Sequence, residues 1–390
     1  MSTVKNLGQY FTKDISLQKK VLEFIKNNPK TILEPSVGRG DLVKYVSKYY
    51  PKIKFNCYEI DKSIDFIIDT DCIIFGDFLK TDIKKIYSCD AHTLRYKTII
   101  GNPPYVKTKK GNLYIDFINK CVDLLKDKGE LIFIIPSDFF KLTSAVKTIK
   151  KMMDNGTVTH IYHPHDENLF ENASIDVIIF RYCKNKKLEK KVLYNDKLLY
   201  IIESGGLLFF SKSKDDSKIP INQLFDVYVG MVNGKEVVYK NKKLGNIELI
   251  NGENKIDKYI YINEFPSKDD KINEYLLKNK EVLISRKIKK FKESNWFEWG
   301  APRNVKVMEN NKNKDCIYVK NLTRNQIIAF KDKVIYFGGS LLMLLPKEED
   351  LNLYKIVEIL NNEETKKNYM YANRFKIGHR QLSSLMISHK

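Results

Sequence analysis

The chain has 390 residues, enough for one large core or, closer to usual domain sizes, two domains. Its 68 Lys and Arg against 48 Asp and Glu leave a formal charge of +20, which points to a polyanionic partner, nucleic acid first. Six cysteines without a C-x-x-C spacing argue against a disulfide framework or a sulfur-held metal, and no apolar run approaches the ~18 residues of a spanning helix, so a soluble, reduced, intracellular and cytoplasmic protein without a membrane partner is expected.

The opening "MSTVKNLGQYFTKD" has no apolar core of signal-peptide length. "DISLQKKVLEFIKNN" follows, with Leu17, Val21, Phe24 and Ile25 on one helical face and Asp14 or Ser16 as N-cap. Short apolar runs then read as strands: "TILEP", "KFNCYEI", "CIIFGD", "KTIIGNPP", "GELIFIIPS", "VTHIYH" and "SIDVIIFRY". Strand and helix alternate through residue 150, which predicts an α/β fold with a mostly parallel, Rossmann-like sheet covered by helices on both faces. The last two strands are expected to close one edge as an antiparallel pair. Past "YCKNKKLEKK" the alternation fades, and the polar "SKSKDDSKIP" at 211–220 reads as a linker, giving domains 1–215 and 216–390. The second domain reads as mixed α/β: strands at "VLISRKIKKF" and "KVIYFGGSLLMLL", and one helix, "LNLYKIVEILNNEETKKNY", with Leu353, Ile356, Val357 and Leu360 on one face. No internal repeat is visible.

"TILEPSVGRGD" is a strand, a glycine turn and a helix start, with Gly38 and Gly40 letting the backbone turn sharply against a ligand. The turn is too short and too acidic for a pyrophosphate cradle. Glu34 at the strand end suits a cofactor with a positive amine or sulfonium instead. Glu59 ends the next strand, where an acid holds ribose hydroxyls, and Asp77 and Phe78 follow the third, able to bond and sandwich an adenine. The fourth strand ends in Asn102-Pro103-Pro104-Tyr105. Two prolines stiffen the chain and aim the Asn102 amide and the Pro103 carbonyl at fixed points. Two such acceptors can draw on both N–H bonds of an exocyclic amine and free its delocalised lone pair, while Tyr105 offers a flat surface for the ring.

These motifs resemble the DNA adenine-N6 methyltransferases of bacterial restriction-modification systems, in the TaqI-like (gamma) order: cofactor motifs, catalytic motif, then target recognition. The resemblance covers nearly the whole chain. It implies an S-adenosyl-L-methionine cofactor and a C-terminal mixed α/β target-recognition domain. It further implies double-stranded DNA as substrate, a flipped target base, a functional pairing with a restriction endonuclease, and a monomer. Through "LGQYFTK" it brings Tyr10 and Thr12 to the cofactor, and through "LEPSVGRGD" Glu34, Pro35, Ser36, Gly38 and Gly40. That turn carries Ser36, Val37 and Arg39 where the family usually has Ala, Cys and Ser, with both glycines kept. Glu59, Ile60, Asp77, Phe78, Asn102, Pro104 and Phe117 complete the implied cofactor set, and Phe170 in "LFENASIDVIIFRY" is implied to stack on the flipped base beside Tyr105. Taken in isolation, a Phe at 117 or 170 is more at home in a core.

DNA phosphates are expected to meet Arg286, Lys289, Lys290 and Lys292 on a strand formed by "SRKIKKFK", and Arg374, Lys376, His379 and Arg380 near the end. A solvated basic face explains either run nearly as well. His160, His163 and His165 in "HIYHPHD" lack accompanying metal ligands, and no metal is expected. Three other readings stay open: an N-P-P-Y methyltransferase acting on ribosomal RNA or a protein glutamine, a cytosine-amine methyltransferase, and an inactive DNA-recognition protein.

Overall fold

A computed structural model describes residues 8–82, 95–108, 111–171, 173–185, 190–214, 217–371 and 373–388. The chain divides into two compact units, 1–215 and 216–390; the junction residues 215 and 216 lie outside the described residues.

The first unit is built on one ten-stranded sheet. Its strands are β1 (Thr31–Glu34), β2 (Lys54–Glu59), β3 (Ile73–Phe75), β4 (Tyr96–Gly101), β5 (Leu125–Pro136), β6 (Gly156–Tyr162), β7 (Val177–Lys184), β8 (Lys191–Tyr194), β9 (Lys197–Ser204) and β10 (Leu207–Ser211). They lie in the order β10-β9-β8-β6-β7-β5-β4-β1-β2-β3. The half from β3 to β5 is parallel. β7 runs antiparallel between β5 and β6. The sheet does not end at that pair as the sequence suggests: β8 joins β6 in parallel, and β9 and β10 extend the edge antiparallel. Those strands depart from the alternation because "KVLY", "KLLYIIES" and "LLFFS" follow one another without a helix between them.

Helices α1 (Ile15–Phe24) and α2 (Asp41–Tyr49) cover one face, and α3 (Leu113–Leu124) and α4 (Val146–Asp154) the other. The two-residue period of β5 explains how one strand serves both layers. Ile132 and Ile134 pack with Leu17, Val21 and Val46, whereas Leu131, Phe133 and Ile135 pack with Ile118, Cys121 and Ile149. A run buried on both faces reads as the continuous apolar "LIFII", and truncating such an Ile to Ala costs about 2–5 kcal/mol. Asp14 caps α1, its Oδ1 accepting from the Leu17 N–H at 3.0 Å.

The second unit holds a four-stranded antiparallel sheet of Phe225–Val229, Leu341–Pro346, Asp315–Lys320 and Ala329–Lys333. Strands Ile247–Gly252, Lys255–Tyr259 and Tyr336–Phe337 form a second sheet, and Tyr239, Tyr259, Trp296, Trp299 and Tyr318 fill the core between these elements. Two expectations are corrected here. "LNLYKIVEILNNEETKKNY" is two helices, Leu353–Asn361 and Glu363–Lys367, because Asn362 is extended and turns its side chain to the Glu364 N–H. "VLISRKIKKF" is no strand: residues 280–284 are helical and 285–292 irregular.

Candidate active site

Parallel pairing puts the ends of β1, β2, β3 and β4 on one edge of the sheet, where open α/β sheets bind ligands. A cleft of about 950 Å3, partly open to solvent, lies there. Every cofactor candidate named from the sequence lines it except Gly40. Gly40 shapes the turn instead: it sits at φ 95° as N-cap of α2, and a Cβ there would come within 2.6 Å of the Ile68 side chain. The sequence reading missed Gln9, Phe11, Asp41, Leu42, Leu79 and Leu113, which also line the cleft. Asp41 was the legible one, being the acid that opens the helix after the glycine turn.

Each carboxylate is held differently. Glu34 is buried; one oxygen meets the Ser36 N–H at 3.3 Å and the other, also buried, has no partner. Burial holds its carboxyl well above the usual range, and the neighbouring Glu59 adds to the effect. Glu59 accepts from the N–H groups of Gly38 at 2.8 Å, Ile60 at 2.9 Å and Asp61 at 3.0 Å; burial raises its pKa and these bonds oppose the rise. Asp77 accepts from the Leu79 N–H and pairs with Lys80. Phe78 and Phe117 stack on each other at 5.5 Å, with Lys120 over Phe78 at 4.7 Å, so they offer the cleft a shared apolar wall rather than two separate plates.

The Asn102 side chain is locked. Its Nδ2 donates to the Tyr10 carbonyl at 2.7 Å and to Thr12 Oγ1 at 3.1 Å, while Oδ1 accepts from the Tyr105 hydroxyl at 2.5 Å. These partners fix which end of the amide is the acceptor, and Oδ1 keeps a second lone pair. Thr12 thus holds Asn102 besides lining the cleft. Tyr105 is not an open plate: Tyr10 stacks on it at 5.4 Å, and Phe170 meets both rings, at 6.4 Å from Tyr105 and 5.8 Å from Tyr10. Phe170 itself is buried. Pro103 is buried and Pro104 half-buried against the cleft.

The basic candidates separate. Arg286 is a correction: it is buried and donates to the carbonyls of Leu283, Asn233, Trp296 and Glu298, with its guanidinium 3.8 Å from the centre of the Phe291 ring. A cation with its donors spent on the interior cannot meet phosphate. Lys289 pairs with Glu298 at 2.8 Å, whereas Lys290 and Lys292 are exposed. Arg374, Lys376, His379 and Arg380 are exposed too, His379 with Nε2 2.9 Å from the Val227 carbonyl oxygen. The histidines of "HIYHPHD" are built into the fold: His163 Nε2 lies 2.7 Å from Asp176 and Nδ1 2.9 Å from the Tyr194 hydroxyl, His165 packs on His163, and His160 Nδ1 lies 2.9 Å from Thr159 Oγ1.

Comparison with known proteins agrees with this geometry. A model of the Eco57I restriction-modification methylase family matches residues 47–170, from α2 to Phe170. The ribosomal RNA small subunit methyltransferase A of Mycoplasma genitalium is 35% identical over 271 residues, covering 59% of this chain and 97% of that protein. The chain belongs to the S-adenosylmethionine-dependent methyltransferases. The type II methyltransferase M.HincII of Haemophilus influenzae is 31% identical to this methyltransferase over 214 residues, 49% of this chain. The methyltransferase spans only 40% of the length of that relative. The restriction-modification methylase match lies within the first unit of this chain. A nuclease-deletion mutant of the Type ISP restriction-modification enzyme LlaGI, solved with a DNA substrate mimic, shares the fold at a TM-score of 0.55 and 12% identity, over 94% of this chain and 52% of that one. Among the described residues no helix is long and apolar enough to cross a membrane.

Proposed function

We propose that the protein methylates the exocyclic N6 of an adenine flipped out of duplex DNA, at a specific site. The observation that carries this reading is the locked Asn102 amide, its free lone pair held at the mouth of the sheet among Tyr10, Tyr105 and Phe170.

The residues of the cleft suit S-adenosylmethionine. A buried carboxylate oxygen without a partner, on Glu34, wants a cation, and the amino-acid end of the cofactor has one. Glu59 would take the ribose hydroxyls, and Ile60, Asp77, Phe78 and Phe117 the adenine. When bound, the cofactor supplies a methyl carbon activated by its sulfonium. The chain therefore has to align and to activate the amine. Asn102 Oδ1 and the Pro103 carbonyl each accept one amine N–H, drawing the nitrogen toward a tetrahedral shape with its lone pair directed outward. The nitrogen would take the methyl as its carbon–sulfur bond breaks, leaving a neutral thioether, and would give one proton to water. No strong base is needed, because the methylated nitrogen, still carrying both hydrogens, would be cationic and would lose one readily as its lone pair returns to the ring.

A base reaches this site only after leaving the duplex, at a cost of a few kcal/mol, which base–aromatic stacking of about 1–3 kcal/mol per base offsets in part. Because Tyr10 stacks on Tyr105, the incoming base takes the place of the Tyr10 ring.

One observation favours a second reading, ribosomal RNA as substrate: the Mycoplasma relative is matched over 97% of its own length. That match still leaves about two fifths of this chain outside it, which an RNA enzyme of that size does without. Offering labelled cofactor with duplex DNA, ribosomal RNA or protein to the full chain separates the readings. Single-molecule sequencing of DNA from expressing cells then tells adenine from cytosine. Methyl transfer to RNA alone would overturn the proposal.

A further inference from the structure

Two stretches of the second unit contain no carboxylate at all, residues 316–331 and 365–390. They are far apart in sequence, yet one small sheet joins them. Leu322 and Thr323 pair antiparallel with Lys376 and Phe375, and Arg374 pairs in turn with Tyr371. Between Thr323 and Ile328 the chain makes a loop whose tip, Arg324, Asn325, Gln326 and Ile327, is exposed.

The backbone of this loop is fastened on both sides. Asn321 donates from its side chain to the Gly339 carbonyl at 2.6 Å. Asn361 accepts from the N–H groups of Ile328 and Ala329 and donates back to the Ala329 carbonyl. Lys320 Nζ reaches the Ile327 carbonyl at 3.0 Å, and the buried Lys366 reaches that of Gln326 at 2.9 Å. Inside the loop the Asn325 N–H donates to Thr323 Oγ1 at 3.0 Å. Among the described residues, the side chains of Arg324, Asn325 and Gln326 have no hydrogen bond or ion pair. A loop held this firmly by its carbonyls and amides, with its polar ends left unused, is preorganised for a partner.

The residue types at the tip match the base edges of the major groove: Arg for guanine, Asn and Gln for adenine, an apolar group for the thymine methyl. Arg374 and Lys376 on the paired strand flank them with positive charge, and the nearby Glu363 is paired with Lys366 at 2.6 Å. A reader of single-stranded RNA would display aromatic plates for stacking, and the tip carries none. We infer that the loop Thr323–Ile327 is the base-reading element of the second unit, entering a groove of duplex DNA with Arg324, Asn325 and Gln326 on base edges and Arg374 and Lys376 on phosphates. The inference rests on the DNA-methylation reading above.

The test uses the full chain. In the Arg324→Ala/Asn325→Ala/Gln326→Ala variant, single-molecule sequencing should report methylation spread to sites differing from the wild-type motif, with preference for the true site reduced at least tenfold per contacted base pair. Cofactor affinity by calorimetry and the melting temperature should stay unchanged, since the altered side chains touch neither core nor cleft. Arg324→Lys keeps the charge but not the two-pronged donor, so it should relax one position of the motif and leave the salt dependence alone. Arg374→Ala/Lys376→Ala should instead weaken binding to all sequences alike and flatten the salt slope by about 2. An unchanged motif and preference in the triple variant, with wild-type DNA methylation intact, would overturn this inference and leave the DNA reading standing. Methylation of RNA and not DNA by the wild type would overturn both.

Discussion

The two halves of the carboxyl edge contrast. The cofactor half is open before anything binds: a cleft of about 950 Å3, edged by Glu34, Glu59 and Asp77, with one buried carboxylate oxygen still unpartnered. The target half is closed on itself. Tyr10, Tyr105 and Phe170 occupy one another's faces and edges at 5.4–6.4 Å. On the proposed reading, a freely diffusing cofactor would find its site ready, whereas a base that arrives only after unstacking would meet rings that must yield to it. The link between the halves is Asn102, whose amide is oriented by the residue 10 backbone and Thr12 on the cofactor side and by Tyr105 on the base side.

Asn102→Ala should separate the halves most sharply. Methyl transfer should fall by about 10²–10³ or more, the loss typical of removing a preorganised hydrogen-bonding group, while calorimetry finds cofactor binding within a few-fold of wild type. A parallel loss of both would mean that the halves are one structural unit. Phe170→Leu should come next. It should raise the KM for DNA by about fivefold or more, with cofactor affinity unchanged. If Phe170 were only a core residue, the melting temperature would fall and KM would not move. Tyr105→Phe removes a single hydroxyl, worth about 0.5–1.5 kcal/mol, so kcat should drop by about 2–10-fold with the ring still present.

The contrast also explains what the sequence could reveal. The cofactor half is written in short contiguous motifs at strand ends, "LEPSVGRGD", "YEID" and "FGDF", and their side chains reach the cleft because parallel pairing brings those ends together. Leu42, Leu79 and Leu113 escaped notice because an apolar residue lining a cleft has the same pattern as one in a core. In the target half, Asn102, Tyr105 and Phe170 were legible as residue types, but the Tyr10 stack was not, since nothing local to "GQYF" says where its ring goes. The basic run at 285–292 misled for a similar reason. Charge in a sequence says nothing of burial, and Arg286 is enclosed by carbonyls from four residues. β9 and β10 join as hairpins across Asn195-Asp196 and Gly205-Gly206, turn signals present in the sequence, whereas the β8–β6 pair is long-range and the break at Asn362 rests on one cap, and periodicity carries neither of these.

The smallest effect expected is also the one that tests whether the open half is truly poised for a cation. Burial raises the pKa of Glu34, and also those of Glu59 and Asp41 in the same cleft, so the free protein favours their protonated forms more than an unfolded chain does. Stability from these groups is therefore present at low pH and is lost as pH rises through the folded values. Binding a cation against Glu34 requires its carboxylate, so the proton must leave as the cofactor enters. Affinity should then climb with pH, by up to tenfold per unit while Glu34 is still protonated in the free protein, and level off above that range. Glu34→Gln cannot lose a proton. It should bind more weakly than wild type at high pH, approach it at low pH, and retain only the shallower slope that Glu59 and Asp41 supply. Calorimetry in two buffers of different ionisation enthalpy reads the released proton directly. Equal release by wild type and Glu34→Gln would mean that the unpartnered oxygen faces something other than the cofactor's charge.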